Sequence, residues 1–387
     1  MTDWGASGRR DEFSFVLVDP FSLNETGEAV DVVSGEGTIT WGMWEADTDN
    51  LVSASIPLVR HTGKDRLIRV KHVATAADST VAEEVLGTFF VDYADAEARA
   101  GAVSRKASCY STLLRFSADY LSRDFARTKG TNIVGEVRDL VEADGGRLRV
   151  MPGVDESREH TMDIWFQVGT RRSTVLRTIA GWTGCELGVD DDGFVTWSAY
   201  VPPEGRGVSH TFIEGEGCTY VPGFTLSDNR KDRCNRVVAS FSRSSKPKHA
   251  RVGEDGSYVK DAEGNIVYDY DDEFPESDVA VADLPDADEY SFRRIGIRKS
   301  LSIEAQEACS HEDLMAMAQA KLSEASGNVQ YYEIEHVGIP GLRIGQRVRY
   351  VNSHDATVPL DLDCVIEQMQ MTLGPGCPCK SKLRVVG

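Results

Sequence analysis

Short acidic motifs are the first places where this sequence could do chemistry. Val189 is followed by three aspartates and a glycine, which resembles the opening of a calcium-binding loop. An EF-hand loop would need a glutamate six residues after the glycine, and Ala199 stands there instead. An Asp-Gly pair between two apolar runs is typical of a β-hairpin turn. The sequence therefore predicts a hairpin turning at 191–193 and no calcium site.

Two further motifs contain zinc-binding residue types. His311 and Glu312 open an expected helix, but Met315 stands where a zinc protease would need its second histidine. Cys377 and Cys379 flank one proline, a spacing found neither in redox CxxC motifs nor in four-ligand zinc sets. The other cysteines are scattered, which favours free thiols in a reducing compartment over a disulfide framework. We predict no metal and no cofactor.

Enzymatic motifs are also missing from the sequence. It contains no GxSxG, no GxGxxG, no phosphate-binding loop and no convincing Cys–His pair. His160 stands alone beside an apolar strand, which favours a surface or core histidine. The acidic run 268–273 could be a carboxylate pair for glycan hydrolysis, but carboxylates adjacent in a loop are usually solvated charge. We therefore predict a protein that is not an enzyme and has no catalytic residue.

Composition narrows the class further. The chain has 387 residues, with 62 acidic against 42 basic side chains and a formal net charge of −20. Such a surface repels phosphate, so specific nucleic-acid binding is not expected. No apolar run reaches the roughly 20 residues of a membrane-spanning helix, and the N-terminus has no signal-peptide core, so we expect synthesis in a cytoplasm without membrane insertion. The length favours about two to four domains.

The elements that must position these motifs are mostly strands. The first third of the chain is rich in β-branched and aromatic residues between Asp, Gly and Asn turns, which predicts a small antiparallel barrel or sandwich at 1–124. Its expected strands are 13–19, 38–45, 51–59, 67–73, 86–93 and 103–110, followed by a short helix at 111–116.

The pattern changes at about residue 125. A helix is predicted after Thr131 or Asn132 as N-cap, with Gly145 beyond its end. A second helix is predicted at 173–184, with Ser173 as N-cap and an apolar face of Val175, Leu176, Ile179 and Trp182. Together with the hairpin at 191–193, these helices predict a small α+β domain at 125–222.

The last third, 223–387, returns to strands. The acidic stretch 245–290 is expected to be a loop excursion outside the core. A helix at 311–325 is predicted from Ser310 as cap and Asp313 in the capping box, with Leu314, Met317, Ala318 and Leu322 on its buried stripe. The stretch EHVGIPGLRIGQRVRYVNS (335–353) predicts a β-hairpin, in which Gly341 takes a positive φ and Ile344 and Val348 face the core.

Several of these segments resemble one protein family. LGTFFVDYADAEARAGAVSRKASCYSTLLRFSADY (86–120) is similar to a stretch common in bacteriophage tail hub proteins, in which a strand ending in Gly-x-aromatic precedes a second strand and a short helix. Gly87, Phe89, Phe90 and Val91 match the first part, and Val103, Ala107 and 110–114 match the second. Relatives often carry an acidic residue where Cys109 or Tyr110 stands here. The order of the later segments, including FTLSDNRKDRCNRVVASF, GLRIGQRVRY and VIEQMQMTLGPG, is also typical of the family.

The resemblance implies a mainly β, α+β chain with two tube-like antiparallel barrels and an inserted α+β domain. It implies a homotrimer with pseudo-sixfold symmetry at the virion tail tip. The expected partners are the tail tube or distal tail protein and tape-measure protein, with DNA passing but not specifically bound. Gly341 and Gly345 would set the turn, and Arg343, Arg347 and Arg349 would face a partner or solvent. The alternatives are a tail-associated cell-wall hydrolase and a receptor- or glycan-binding module that uses 245–290.

Overall fold

The structure is a computed structural model of the chain. It describes residues 2–33, 37–42, 52–59, 67–99, 102–143, 145–160, 163–215, 217–228, 233–242, 248–251, 253, 258–262, 266–270, 277–304, 311–326, 330–353 and 360–386.

Strands fill the first third, as predicted. They alternate apolar residues with polar ones, and they are β1 (Arg10–Val18), β2 (Glu25–Ala29), β3 (Gly37–Gly42), β4 (Val52–Leu58), β5 (Leu67–Thr75), β6 (Val81–Arg99) and β7 (Ala102–Ser111), followed by α1 (Leu114–Ser117). The sequence analysis missed β2, because every residue of this strand is exposed and no apolar alternation marks it.

The middle third mixes short strands and helices. They are β8 (Phe125–Arg127), α2 (Ile133–Glu142), β9 (Leu148–Val150), β10 (Ile164–Phe166), α3 (Arg172–Thr183), β11 (Cys185–Val189), β12 (Val195–Ala199) and β13 (Val208–Phe212). Asn132 caps α2, because its side chain accepts a hydrogen bond from the Gly135 amide at 2.7 Å. Ser173 as N-cap of α3 is wrong, since Arg171 occupies that position and Ser173 is buried inside the first turn. The side chain of Trp182 lies outside the described residues.

The last third contains β14 (Thr225–Asp228), β15 (Arg236–Ser242), β16 (Lys248–Ala250), β17 (Tyr268–Tyr270), β18 (Ser277–Asp283), α4 (Phe292–Ile295), β19 (Ser300–Glu304), α5 (His311–Ser326), β20 (Gln330–His336), β21 (Arg347–Asn352), β22 (Leu360–Leu373) and β23 (Cys379–Val385). None of the helices in the described ranges combines the length and the apolar character that a membrane crossing requires.

A small second core lies between α5 and the sheet β18–β15–β19. Leu314, Ala318 and Leu322 of α5 are buried there, as predicted, but Met317 is 40% exposed, because only a narrow stripe of the helix faces the sheet. The predicted caps cannot be compared, since Ser310 and the side chain of Asp313 lie outside the described residues. Strand β18 falls within the predicted loop excursion and corrects it, because Ala280 and Ala282 on alternate positions of β18 are buried in this core.

The large sheet contains 13 strands, and its main path runs β14–β20–β23–β22–β3–β4–β7–β6–β5–β1–β2, with β13 and β21 attached beside β22. The prediction of closed barrels is not met by these strands, since β14 and β2 end the path. The large sheet has two halves, which we define as β1 to β7 and as β13, β14 and β20 to β23. An isolated bridge joins Val32 to Leu58 in the first half and Tyr220 to His336 in the second, so each half nearly closes into a ring of strands. The halves are fused because β22 pairs with β21 along its beginning and with β3 along its end.

The predicted hairpin around 335–353 is also wrong. Strand β20 pairs with β14 and β23, whereas β21 pairs with β13 and β22, so the two strands do not pair with each other. Residues 337–346 form a long connection instead, and its backbone groups make hydrogen bonds with strands other than β20. The Gly345 amide donates to the Ile366 carbonyl at 2.7 Å, and the Ile366 amide donates to the Gln346 carbonyl at 3.1 Å. These bonds hold the connection against β22 rather than against β20.

Candidate functional site

Gly341 in the connection 337–346 adopts the left-handed backbone that the sequence predicts, and Gly345 adopts it as well. Gly341 has φ of +79° and Gly345 has φ of +75°. The Gly341 amide donates to the Glu84 carboxylate at 2.9 Å, and the Gly345 carbonyl accepts a hydrogen bond from Arg206 at 2.5 Å. Ile344 and Val348 both contact the main core. The two glycines therefore bend the chain so that it contacts the first third and the middle third at the same time.

Arg343 contacts acidic groups of the same chain and keeps 20% of its side chain exposed, and its contact with a partner remains a prediction. Its guanidinium donates to the Asp191 carboxylate at 3.1 Å, to the Glu84 carboxylate at 3.0 Å and to the Val85 carbonyl at 3.0 Å. Burial disfavours the charged guanidinium, but Asp191 and Glu84 outweigh it and raise the pKa of Arg343. This side chain links the C-terminal connection to β6 and to the hairpin between β11 and β12.

Arg347 and Arg349 stand on β21 and contact acidic residues of β22. Arg347 donates to the Asp363 carboxylate at 2.5 Å and to the Glu204 carbonyl at 2.9 Å. Arg349 makes two bonds to the Asp361 carboxylate, at 2.7 and 2.6 Å, with half of its side chain exposed. The contact of these arginines with a partner remains a prediction.

Several buried charged groups lie next to the connection 337–346 and contact one another. The His72 ring lies between two carboxylates and is within hydrogen-bonding distance of both. Its Nδ1 is 3.0 Å from the Glu84 carboxylate, and its Nε2 is 2.9 Å from the Asp11 carboxylate. Arg9 donates twice to Asp11, at 2.9 and 2.7 Å. Phe13 stacks on the imidazole with ring centroids 4.9 Å apart. With Arg343 and Asp191, these groups form one charged network, defined here as Arg9, Asp11, His72, Glu84, Arg343 and Asp191.

The network favours the ionised forms of His72, Asp11 and Glu84 despite their burial, whereas burial raises the pKa of Asp191. Desolvation lowers the pKa of His72, but the hydrogen bonds to Asp11, Cys377 and Glu84 outweigh it and raise that pKa to about 11. Desolvation raises the pKa of Asp11, yet His72 and Arg9 hold it well below its ordinary value. The pKa of Glu84 is likewise lowered, because His72 and Arg343 outweigh its burial. Alternating charges thus compensate one another inside the protein.

Cys377 lies beside this network. Its Sγ is 3.4 Å from His72 Nε2, which is the spacing of a thiol near its base. The exposed fraction of Cys377 is 0%, so a substrate cannot reach the sulfur. The neighbouring Gly376 amide donates to the second Asp11 oxygen at 2.8 Å. The cysteines of the described residues, Cys377 and Cys379 included, are free thiols, as predicted.

The Asp-Gly hairpin forms as predicted, and its turn packs against the strands of the first third of the chain. Arg69 donates to the Asp192 carbonyl, Thr88 to the Asp191 carbonyl and Thr112 to the Gly193 carbonyl, each at 2.9 Å. Gly193 has φ of +91°, and a Cβ there would lie 3.2 Å from side-chain atoms of Thr88 and Thr112. The carbonyls of Asp191, Asp192 and Gly193 therefore accept hydrogen bonds from β5, β6 and the turn after β7 and hold the hairpin against them.

The remaining sequence candidates have structural contacts. His160 is buried, with Nε2 2.8 Å from the Glu136 carboxylate, which is the core position expected for it. Asp269 of the acidic run makes an ion pair with Arg251, at 2.9 Å from Nε. Asp271 and Asp272 lie outside the described residues. None of these contacts brings two free carboxylates together at a surface of the described chain.

The charged network is the part of the site that sequence reasoning missed. Its members come from β1 and the residue before it, β5, β6, the β11–β12 turn and the connection before β21, so they are far apart in the sequence. The Arg-x-Asp spacing of Arg9 and Asp11 at the start of β1 is a local trace of one of its contacts. The network fastens the first, middle and last thirds of the chain to one another through buried charge.

This arrangement, a 13-stranded sheet shared by two halves with a small α+β unit packed on it, is similar in fold to several solved tail and prophage tail proteins. In particular, it is similar to the tail protein from Neisseria meningitidis MC58, with a TM-score of 0.63, 10% identity and coverage of 96% of each chain. The prophage MuSo2 43 kDa tail protein from Shewanella oneidensis has a TM-score of 0.59 and 14% identity over 97% of this chain and 98% of that one.

Prophage tail protein gp18 from Listeria monocytogenes EGD-e has a TM-score of 0.53 and 10% identity, over 96% of this chain and 94% of that chain. No protein-family model matches the sequence, and no curated protein matches it. Likeness at such low identity lies in the fold, because sequence and side chains have diverged almost completely.

Proposed function

We propose that the chain is a structural component of a phage or prophage tail tip. It acts as a hub trimer that joins the tail tube or distal tail ring to the tip and leaves a channel for tape-measure protein and DNA. The observation that carries this proposal is the likeness in fold to tail proteins over nearly the whole of both chains. Its place in the virion is the tail tip, after synthesis in the bacterial cytoplasm.

The domain division follows from the same proposal. Residues 1–124 and 223–387 are two tube-like halves, and 125–222 is the inserted α+β domain. The support is that an isolated bridge, Val32–Leu58 in one half and Tyr220–His336 in the other, brings each half close to closing on itself. In a trimer, two such halves from each chain give about six similar units around the axis.

Unpaired sheet edges support assembly from copies of the chain. Among the described strands, β14 and β2 each have one partner. An exposed strand edge offers free backbone donors and acceptors to a neighbouring chain. On β14 the apolar side chain of Leu226 is exposed, whereas β2 carries Glu25 and Glu28. We assign the ring contact to the β14 side and place Arg349, on nearby β21, close to it.

A polar sheet face fits the wall of the channel. Gln368 and Gln370 of β22 stand exposed beside Thr40 of β3, at the joint of the two halves. Two basic residues of this face, Lys380 and Lys382, stand opposite Gln370 and Gln368. Lys380 is paired with the Glu335 carboxylate at 2.8 Å, and Lys382 Nζ lies 4.1 Å from the centroid of the Tyr331 ring. Uncharged amides and hydroxyls with paired ions attract phosphate weakly, so DNA passes such a wall without being held.

Light scattering across a concentration series, with negative-stain images of the largest species, tests this function. We expect a trimer with a central hole, either alone or after addition of a tail tube or distal tail protein, because assembly follows mass action. A compact dimer without a channel would contradict the proposal. Wall hydrolysis by the purified chain would favour the alternative of a cell-wall hydrolase.

A further inference from the structure

We propose that Asp11, His72 and Cys377 bind one zinc ion, which fastens the two ends of the chain to each other. The donor atoms of these residues, a carboxylate oxygen, an imidazole nitrogen and a thiol sulfur, all lie within 4.8 Å of one another. They come from β1, β5 and the turn between β22 and β23. This inference does not depend on the proposed function of the chain.

The distances suit a tetrahedral ion. With ordinary zinc–ligand lengths, neighbouring donors of a tetrahedron stand about 3.4 to 3.6 Å apart. His72 Nε2 lies 3.4 Å from Cys377 Sγ and 2.9 Å from Asp11 Oδ1. The distance between His72 Nε2 and Asp11 Oδ1 has to open by about 0.5 Å to admit the metal. The three protein ligands leave the fourth position for a water molecule.

Surrounding groups already orient the ligands. Glu84 lies 3.0 Å from His72 Nδ1, so this nitrogen carries the proton and Nε2 is directed at the other two donors. A carboxylate behind a histidine in this way is the usual outer support of a zinc ligand. The Gly376 amide holds the second oxygen of Asp11 at 2.8 Å, which fixes the plane of that carboxylate.

The backbone of Cys377 gives a second, independent observation. Its φ is +44°, in the left-handed region that residues other than glycine rarely adopt. Gly338 makes this conformation possible, because a Cβ at position 338 would stand 2.5 Å from the Cβ of Cys377. Uncommon backbone conformations of this kind cluster at ligand sites. Here the conformation points the thiol at His72.

A metal binds the deprotonated thiol and the free ring nitrogen, so zinc would take the place of any proton on Cys377 Sγ and on His72 Nε2. The Arg9 contact with Asp11 and the Arg343 contact with Glu84 lie outside the three donor residues.

Zinc content of the full-length, reduced protein from zinc-supplemented cells tests the site. We expect about one zinc per chain in the wild type and in Cys218→Ser, which removes a half-buried thiol elsewhere, and almost none in Cys377→Ser or Asp11→Asn. Thermal unfolding shows whether each variant is folded. Zinc retained by Cys377→Ser, or less than about a tenth of an equivalent in the wild type, would overturn the proposal.

A titration of the metal-free wild type decides the question even where the variants fail to fold. Cobalt should produce a thiolate-to-metal charge-transfer band that zinc abolishes, and zinc binding should release protons in weakly buffered solution. Zinc should also raise the unfolding temperature. A cobalt spectrum without the thiolate band would show that Cys377 is not a ligand and would overturn the site.

Discussion

The backbone amide of Gly341 donates a hydrogen bond of 2.9 Å to the carboxylate of Glu84, although 257 residues separate the two along the chain. Arg343 donates to the same carboxylate, and His72 contacts it from the other side. The connection before β21 is therefore fastened to β6 by charge as well as by packing. Changes to these groups should affect the whole fold.

Replacing Arg343 tests that contact. Arg343→Gln leaves the Glu84 and Asp191 carboxylates partly buried without their cation, so we expect the free energy of unfolding to fall by about 2 kcal/mol. Urea unfolding measures the change. Arg349→Gln is the matched control, because its pair with Asp361 is exposed and its loss should leave stability nearly unchanged. Equal losses in both variants would contradict a special role for Arg343.

Two glycines should respond in opposite ways to alanine. Gly341 has a left-handed backbone, so Gly341→Ala should lower the free energy of unfolding by about 1 kcal/mol through strain. Gly181 lies exposed inside α3 with open space around it, so Gly181→Ala should raise that energy by about 0.5 to 1 kcal/mol. Denaturant midpoints compare the two. A stabilising Gly341→Ala would refute the assigned conformation.

His336 predicts sensitivity to acid. Burial lowers its pKa to about 4, while the adjacent Val337 carbonyl opposes the shift. The unfolded chain takes up a proton on this residue below about pH 6.5, whereas the folded chain does so only near pH 4. The free energy of unfolding should therefore fall by up to about 3 kcal/mol as pH drops through this window.

The variant His336→Gln isolates this residue from the other titrating groups. Subtracting the pH dependence of the variant's unfolding energy from that of the wild type should leave a loss confined to about pH 6.5 to 4. A difference that does not change with pH would mean that His336 is protonated to the same degree in both states.

The second core can be tested on α5. Leu314 is completely buried against the sheet of β15, β18 and β19, so Leu314→Ala should cost about 2 to 5 kcal/mol. Met317 is largely exposed on the same helix, and Met317→Ala should cost less than about 0.5 kcal/mol. Thermal unfolding followed by circular dichroism measures both. A large loss of stability from Met317→Ala would show that this side chain contributes to the buried stripe of α5.

Local patterns allowed most elements to be predicted, but not their partners. The helices α2, α3 and α5 were found because apolar residues recur at helical spacing, and most strands because of alternation. The hairpin at 335–353 failed because β20 and β21 carry correct strand patterns that say nothing about which neighbour each strand takes. Strand β18 was missed because it is a short run in an acidic stretch, and because its small alanines face the core while its valines are exposed.

The site was harder to predict than the fold. Gly341 and Gly345 were identified from turn chemistry, since positive φ leaves a mark in the sequence. Asp11, His72 and Cys377 carry no such mark, because 305 residues separate His72 from Cys377. Charged residues were expected at the surface, and the network shows that charges with enough partners can be buried instead.

Strand β22 has a mechanical consequence. Its 14 residues pair with β23 on one side and with β21 and β3 in succession on the other. A force that pulls the two halves apart along the direction of this strand must shear many backbone hydrogen bonds at once and cannot unzip them one by one. Strand β22 would therefore resist tension between the two halves in shear.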